Sequence, residues 1–401
     1  MRVLMLGWEL PPHNSGGLGV ACLQLSKALA NAGADIDFIL PHYRNGHKYD
    51  FMRVTSALSS GISSVVAGNA YDSYRYILDD GSYFDVNIHD QQAAYAHMVG
   101  RLVERMQFDI IHAHDWLTFR AALLARQKKN VPLVLHIHSI ERDRAGGAEG
   151  NPWVREIEAT AMLLADHVIA ISERTKRMIV EDYKIPADKI EVIHNSLDIS
   201  SVEPLDERNA YHYLEDLKNE GWRVIANIGR LTIQKGLAHF IEVAAEVIKR
   251  HPKTIFILVG DGEQRDELIE LAAERGISRN VIFTGFQRGK NWRDAYAIAD
   301  LFVMPSVSEP FGLTPLEAAA YSTPSLISKQ SGVAEIFKNC LKADFWDVNE
   351  MANQVAAVLT SPSLQSELSY NAHQEFQQLG WDRAAGTIME RYRQFTEVVA
   401  G

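Results

Sequence analysis

Arg2-Val3-Leu4-Met5-Leu6-Gly7, followed by Gly16-Gly17-Leu18-Gly19 and then by the apolar spacing of Ala21 to Ala30, is the stretch that decides the fold. Val3 to Leu6 reads as a buried strand, the glycines as a turn, and the following segment as a helix with apolar residues at helical spacing. The pattern recurs. Asp35 to Leu40, Asp109 to Ala113, Val131 to Ile137 and His167 to Ile171 are short apolar runs separated by segments long enough to hold helices. Such alternation predicts a mostly parallel sheet covered on both faces. Residues 51–90 depart from it: Val54, Val65-Val66 and Tyr74-Arg75-Tyr76 suggest short, partly antiparallel strands inserted after the second strand.

A chain of 401 residues exceeds one ordinary core, so two domains are expected, 1–200 and 201–380. The polar segment from Ser200 to Gly221 reads as a linker carrying a short helix. Beyond it the alternation restarts, with strands at Val224 to Ile228, Ile255 to Val259, Val281 to Thr284, Leu301 to Met304 and Ser325 to Ile327. Helices are expected at Gly236 to Arg250, Gln264 to Arg275, Trp292 to Ile298 and Leu313 to Ala320, and throughout the chain after Asn349. The last amphipathic stretch, about 381–401, is expected to pack back on the first domain. The reading is therefore two doubly wound α/β domains whose strand ends face one central cleft.

At 47% hydrophobic and 23% charged, the chain has the composition of a globular protein, not a disordered or fibrous one. A formal net charge of -11 speaks against a nucleic-acid partner, which requires a basic face. The two cysteines, Cys22 and Cys340, form no disulfide framework or Cys-rich metal site, which points to a cytoplasmic setting. No apolar run has the length of a membrane span, and the N-terminal run is too short for a signal peptide.

Two segments carry the chemistry. Gly229-Arg230-Leu231-Thr232-Ile233-Gln234-Lys235-Gly236 follows a strand and opens a helix, so its two cations can form a diphosphate receptor rather than two solvated surface charges. Glu309-Pro310-Phe311-Gly312-Leu313-Thr314-Pro315-Leu316-Glu317 stands at another strand-to-helix junction. Its two carboxylates are too far apart for a surface i, i+4 couple. Glu317 suits a ribose diol and Glu309 a sugar, while amides near Phe311, Gly312 and Leu313 can hold hydroxyls or phosphate oxygens; helix capping is the plainer alternative.

These segments resemble the retaining GT-B glycosyltransferases of the glycogen-synthase and family-4 type. So do Glu9-Leu10-Pro11-Pro12 with the glycine loop, His112-Ala113-His114-Asp115-Trp116, Ser172-Glu173 and Val192-Ile193-His194-Asn195-Ser196-Leu197-Asp198. The resemblance implies a GT-B fold and a UDP-, ADP- or GDP-linked sugar donor. In it Arg230 and Lys235 bind the diphosphate, Glu317 the ribose, and Glu309 lies by the transferred sugar. It further implies that His114 stands beside the reacting centre, that the amides of Gly16 and Gly17 approach the diphosphate, and that His112 is structural. Transfer would retain the anomeric configuration by front-face attack, without metal or other cofactor. Glucose onto a glucan is the first choice, with a small sugar, lipid or cell-surface glycan acceptor as runner-up.

There are departures. Asn14 and Ser15 precede Gly16 where bacterial glycogen synthases have a lysine, and Ser196 replaces a glycine, so Asn195 would supply the left-handed turn. Ser331-Gly332-Val333-Ala334-Glu335 has lost one glycine of the family's loop, leaving Glu335 without a role. His136 and His138 share a strand face, but no further zinc ligand stands at a recognisable spacing. His138, with Glu141 and Arg142, could line the acceptor side or be plain loop structure. Asp35-Ile36-Asp37 imitates a metal-binding D-x-D but opens a strand, at the wrong end of the sheet, so a structural role is expected. Rival readings are an epimerase, a pyridoxal-phosphate phosphorylase, a dinucleotide oxidoreductase lacking the full glycine spacing, and a silent nucleotide-sugar sensor.

Overall fold

The computed structural model describes residues 1–11, 17–43, 48–57, 62–67, 73–78 and 80–400. The chain divides into two compact units. The first comprises Met1–Arg142, Glu149–Ser196 and Gly380–Gly401, and the second Asp143–Ala148 and Leu197–Leu379.

In the first unit the strands are β1 (Arg2–Leu6), β2 (Asp35–Leu40), β3 (Met52–Ser56), β4 (Ile62–Ala67), β5 (Ser73–Leu78), β6 (Tyr83–Asn87), β7 (Ile110–His114), β8 (Leu133–Ile137), β9 (His167–Ala170) and β10 (Ile190–Val192). Seven form one sheet in the order β10-β9-β8-β7-β1-β2-β3, with every pairing parallel. Val3 and Met5 join the core on one face, and Leu4 and Leu6 join it on the other. A parallel strand buried on both sides needs this continuous apolar run, which is why β1 was legible.

Residues 51–90 hold short strands that are partly antiparallel, as expected. Val54 lies in β3, which pairs parallel with β2 as the edge of the main sheet. The antiparallel part is β4-β5-β6, with β6 a further strand that the residue pattern does not suggest. Asp35 and Asp37 both bind the Arg53 guanidinium across the β2–β3 pair, at 2.8 and 2.7 Å, so this D-x-D serves sheet pairing.

The C-terminal helix Asp382–Ala400 belongs to the first unit. With Trp381 just before it, it completes the core that the helix Gly17–Asn31 builds over β1 and β2, inserting Ala385, Ile388, Met389 and Tyr392. Burying side chains such as Ile388 and Met389 contributes about 1.5–3 kcal/mol each. Trp381 Nε1 also donates to Gln24 Oε1 at 2.9 Å, and Arg391 grips Glu191 at 2.9 Å.

The second unit holds β11 (Arg223–Ile228), β12 (Thr254–Val259), β13 (Val281–Gly285), β14 (Leu301–Met304), β15 (Ser325–Ser328) and β16 (Leu341–Ala343) in the order β13-β12-β11-β14-β15-β16, all parallel. β16 is a further correction: Leu341-Lys342-Ala343 is too short and too polar to read as a strand alone, and pairing with β15 makes it one. The order reverses direction at β11 and β14. In open α/β sheets that reversal opens a crevice at the carboxyl ends of the strands.

Candidate functional site

The loops after β11 and β14, neighbours in the second sheet, bring the two sequence motifs together. Lys235 Nζ lies 2.5 Å from Glu309 Oε2, and the same oxygen accepts from Ser306 Oγ at 3.2 Å. Backbone bonding fixes the approach: Val307 N donates to Gln234 O at 3.0 Å, and Glu309 N to Gln330 O at 3.0 Å. Gly236 has φ +64, and a Cβ there would stand 2.1 Å from Pro305 O, so only glycine lets these loops close on each other. Lys235 keeps 20% of its side chain exposed while Glu309 keeps 8%, which leaves the ammonium reachable and the carboxylate sheltered. Arg230 is half-buried on the same loop.

Phe311 and Leu313 bury their side chains. The amides of Gly312 and Leu313 make no hydrogen bond to a described residue. Gly312 has φ +96, and a Cβ there would touch Glu309 Cγ at 3.0 Å. Glu317 stands one turn into the helix Thr314–Ala320 and accepts from Tyr296 Oη at 2.6 Å. Burial pushes its carboxyl up to about 7 against the opposing pull of Tyr296 and Lys235.

In the first unit, β7 and β8 lay four imidazoles on one face, with His114 directly opposite His136. His114 Nδ1 and His138 Nε2 are 3.0 Å apart, His112 Nε2 and His136 Nδ1 are 3.2 Å apart, and His112 Nδ1 meets the Tyr392 hydroxyl. Burial drives all four below the ordinary imidazole range, His112 and His138 to about 3, so all are neutral. His114 has no exposed surface, whereas His138 keeps 7%. His114 thus lies behind His138, which carries what exposure the ladder has. Among the described residues, Cys22–His114–His138 and His112–His114–His136 each bring one metal-ligating atom apiece within 4.8 Å. Rings along each strand stack, however, at 28° for His112 and His114 and 14° for His136 and His138, so their in-plane lone pairs run side by side. The nearest nitrogens already exchange hydrogen bonds, an arrangement that suits paired neutral tautomers.

Asp115 holds this ladder's open end. Its carboxylate accepts from His138 N at 2.6 Å and Ser139 N at 3.2 Å, and its backbone adopts φ 57, ψ 165. That region costs a non-glycine residue about 1–3 kcal/mol, which the paired amides offset. Glu141 Oε1 accepts from Asn151 N at 2.9 Å, and Arg142 pairs with Asp182 at 2.6 Å, so both are engaged within the first unit. Gly17 begins its helix exposed, while Gly16 lies outside the described residues. The positive-φ non-glycine residues among those described are Asp115, Asn130, Lys184 and Ser322; Asn195 does not adopt the left-handed turn expected of it. Two residues bonded to the candidate groups carry no sequence signal for it: Asp115, inside the His112–Trp116 motif, and Tyr296, 21 residues before Glu317.

Comparison with known proteins agrees with this geometry. Residues 215–375 match the family described as Glycosyl transferases group 1, and residues 15–201 match Glycosyltransferase Family 4. An uncharacterized glycosyltransferase of Methanocaldococcus jannaschii is 27% identical over 98% of each chain. The glycogen synthase of Mycobacterium tuberculosis is 28% identical over 98% of this chain and 94% of its own. Among solved structures, sucrose-phosphate synthase from Thermosynechococcus elongatus superposes with a TM-score of 0.77 at 20% identity, covering 99% of both chains. HepE of Anabaena in complex with UDP-glucose gives 0.70 at 20% identity, covering 100% of this chain and 99% of that one. Two parallel-sheet units, the paired loops after β11 and β14 and these matches along the chain together make it a GT-B glycosyltransferase of the family-4 type.

Proposed function

We propose that this glycosyltransferase moves a hexosyl group from a nucleotide diphosphate sugar to an acceptor hydroxyl, with retention of configuration and without a metal. The observation that carries the reading is the Lys235–Glu309 pair at 2.5 Å, with Glu317 following on the same loop and helix. It sets a cation for a diphosphate beside one acid for a sugar and another for a ribose. The UDP-glucose in the HepE complex and the glycogen synthase relative favour a glucosyl donor and a glucan acceptor. The free cysteines, Cys22 and Cys340, suit a reducing cytoplasm.

As the bond from the anomeric carbon to the leaving phosphate breaks, its electron pair goes to the phosphate oxygen. Arg230 and Lys235 stabilise that charge, a preorganised electrostatic effect that commonly dominates catalysis. The acceptor hydroxyl attacks from the same face and passes its proton to the departing oxygen, so no carboxylate need form a glycosyl-enzyme bond. Glu309 holds Lys235 in place and faces the sugar. The loop after β8 is assigned to the acceptor, where the neutral His138 contributes a hydrogen bond and not a charge.

Thermal-shift measurements with UDP-, ADP- and GDP-glucose test this, because a ligand bound only by the folded state raises the melting temperature with its affinity. One of the three should raise it. The active donor is then supplied with glycogen and excess EDTA, and the anomer formed is read by NMR. Absence of any shift sinks the donor assignment; an inverted product or loss of turnover in EDTA sinks the mechanism.

A further inference from the structure

Tyr296 sits in the helix Gly289–Ile298 with no exposed surface, its ring packed against Trp292, Phe302 and Tyr321. A phenol sealed in such surroundings requires a partner for its hydroxyl. It has one: Glu317 Oε2, at 2.6 Å. The other carboxylate oxygen, Oε1, makes no hydrogen bond to a described residue, and the Glu317 side chain is only half-buried. One oxygen is tied down and the other is open.

We propose that Tyr296 is a positioning residue for the donor site: its hydroxyl locks one oxygen of Glu317 so that the other is presented to the ribose hydroxyls of a nucleoside diphosphate. The inference deepens the function proposed above and rests on it. A free glutamate samples several rotamers and would lose that freedom on gripping a diol, whereas a carboxylate already fixed loses little. The phenol also acts on charge. Tyr296, Tyr321 and Lys235 are the titratable groups that face Glu317, and Lys235 is itself engaged by Glu309 at 2.5 Å. Burial raises the Glu317 carboxyl to about 7, with the Tyr296 hydrogen bond as the larger of the two effects that hold it down. Without the hydroxyl the carboxyl rises further, more of it is protonated at neutral pH, and a protonated carboxyl is a poorer acceptor for a diol.

Calorimetric titration of UDP, ADP and GDP, each against its 2′-deoxy analogue, over pH 5.5–8.5 is the test. The ratio of ribo to deoxy affinity cancels the titration of the phosphate. In the parent protein the diphosphate that binds should show a ribo preference on the order of tenfold, the scale of one hydrogen bond to a charged group, rising with pH. In Tyr296→Phe the preference should fall within about threefold, and its pH midpoint should move upward. Protein in which every tyrosine is replaced by 3-fluorotyrosine, a more acidic donor that keeps the hydroxyl, should move the midpoint downward, and it decides the matter where Tyr296→Phe does not fold. A midpoint unmoved by either change, or an undiminished ribo preference in Tyr296→Phe, overturns the inference. A parent protein that binds a diphosphate with no ribo preference overturns the assignment of Glu317 and the inference with it; one that binds no diphosphate overturns the function proposed above.

Discussion

The two units hold their polar groups by opposite means. Between β7 and β8 the first unit seals four imidazoles at 7% exposure or less, neutral and bonded to one another and to Tyr392. At the ends of β11 and β14 the second unit leaves an ammonium and a carboxyl raised to about 7 partly exposed, and shelters a carboxylate, that of Glu309, as the ammonium's partner. Neutral groups can be buried deep at the cost of finding partners, whereas charged ones are expensive to desolvate and stay near the surface unless paired. Under the function proposed above, the charge-stabilising work falls to the second unit, and shape and hydrogen bonding to the first.

The largest expected effect lies on the charged side. Lys235→Ala removes the cation beside the leaving group and should lower kcat by about a hundredfold or more, measured as nucleotide release, with the circular dichroism spectrum retained. The corresponding loss in the first unit is one of acid stability. The four histidines have folded pKa values below the unfolded value of about 6.5, so the unfolded chain gains protons first and stability is lost as pH falls below that point. Each contributes about 1.4 kcal/mol of loss per pH unit on the way down. Hydrogen exchange, corrected for its intrinsic pH dependence, should therefore loosen β7 and β8 between pH 6.5 and 5 before β11 and β12. His136→Leu should reduce that pH slope by one proton. Equal loosening of both sheets would erase the contrast. A smaller effect is expected from Glu317→Gln, which cannot ionise: donor affinity should fall about tenfold at pH 8 and lose its rise through pH 7.

Much of this was legible in the chain, for reasons that also mark where legibility stopped. Doubly buried strands such as Val3 to Leu6 and Leu301 to Met304 announce themselves because both faces must be apolar. Arg230, Lys235, Glu309 and Glu317 stood out because each follows a strand. β16 and the parallel placement of β3 did not, since an edge strand is defined by its neighbour rather than by its own residues. The histidine ladder was half visible: alternation put His136 with His138 on one strand face, but only the β7–β8 register brings His112 and His114 against them. Tyr296 lies 21 residues before Glu317 on a different helix, and no local pattern couples them.

The smallest prediction asks whether the contrast is between two independently cooperative bodies. Trp381→Phe deletes the indole N–H that binds Gln24 Oε1 at 2.9 Å and keeps most of the aromatic volume. The loss should be about 1–2 kcal/mol, since a buried acceptor is left without its donor. For a unit of this size that is a fall of about 2–8 °C in melting temperature. Exchange should quicken in the helix Gly17–Asn31 and the helix Asp382–Ala400, which share a core with β1 and β2, while β11, β12 and the donor KM stay as in the parent. A change in donor KM, with no residue of the second unit altered, would show that the charged site depends on the packing of the neutral unit, and the division of labour drawn from their polar groups would fail.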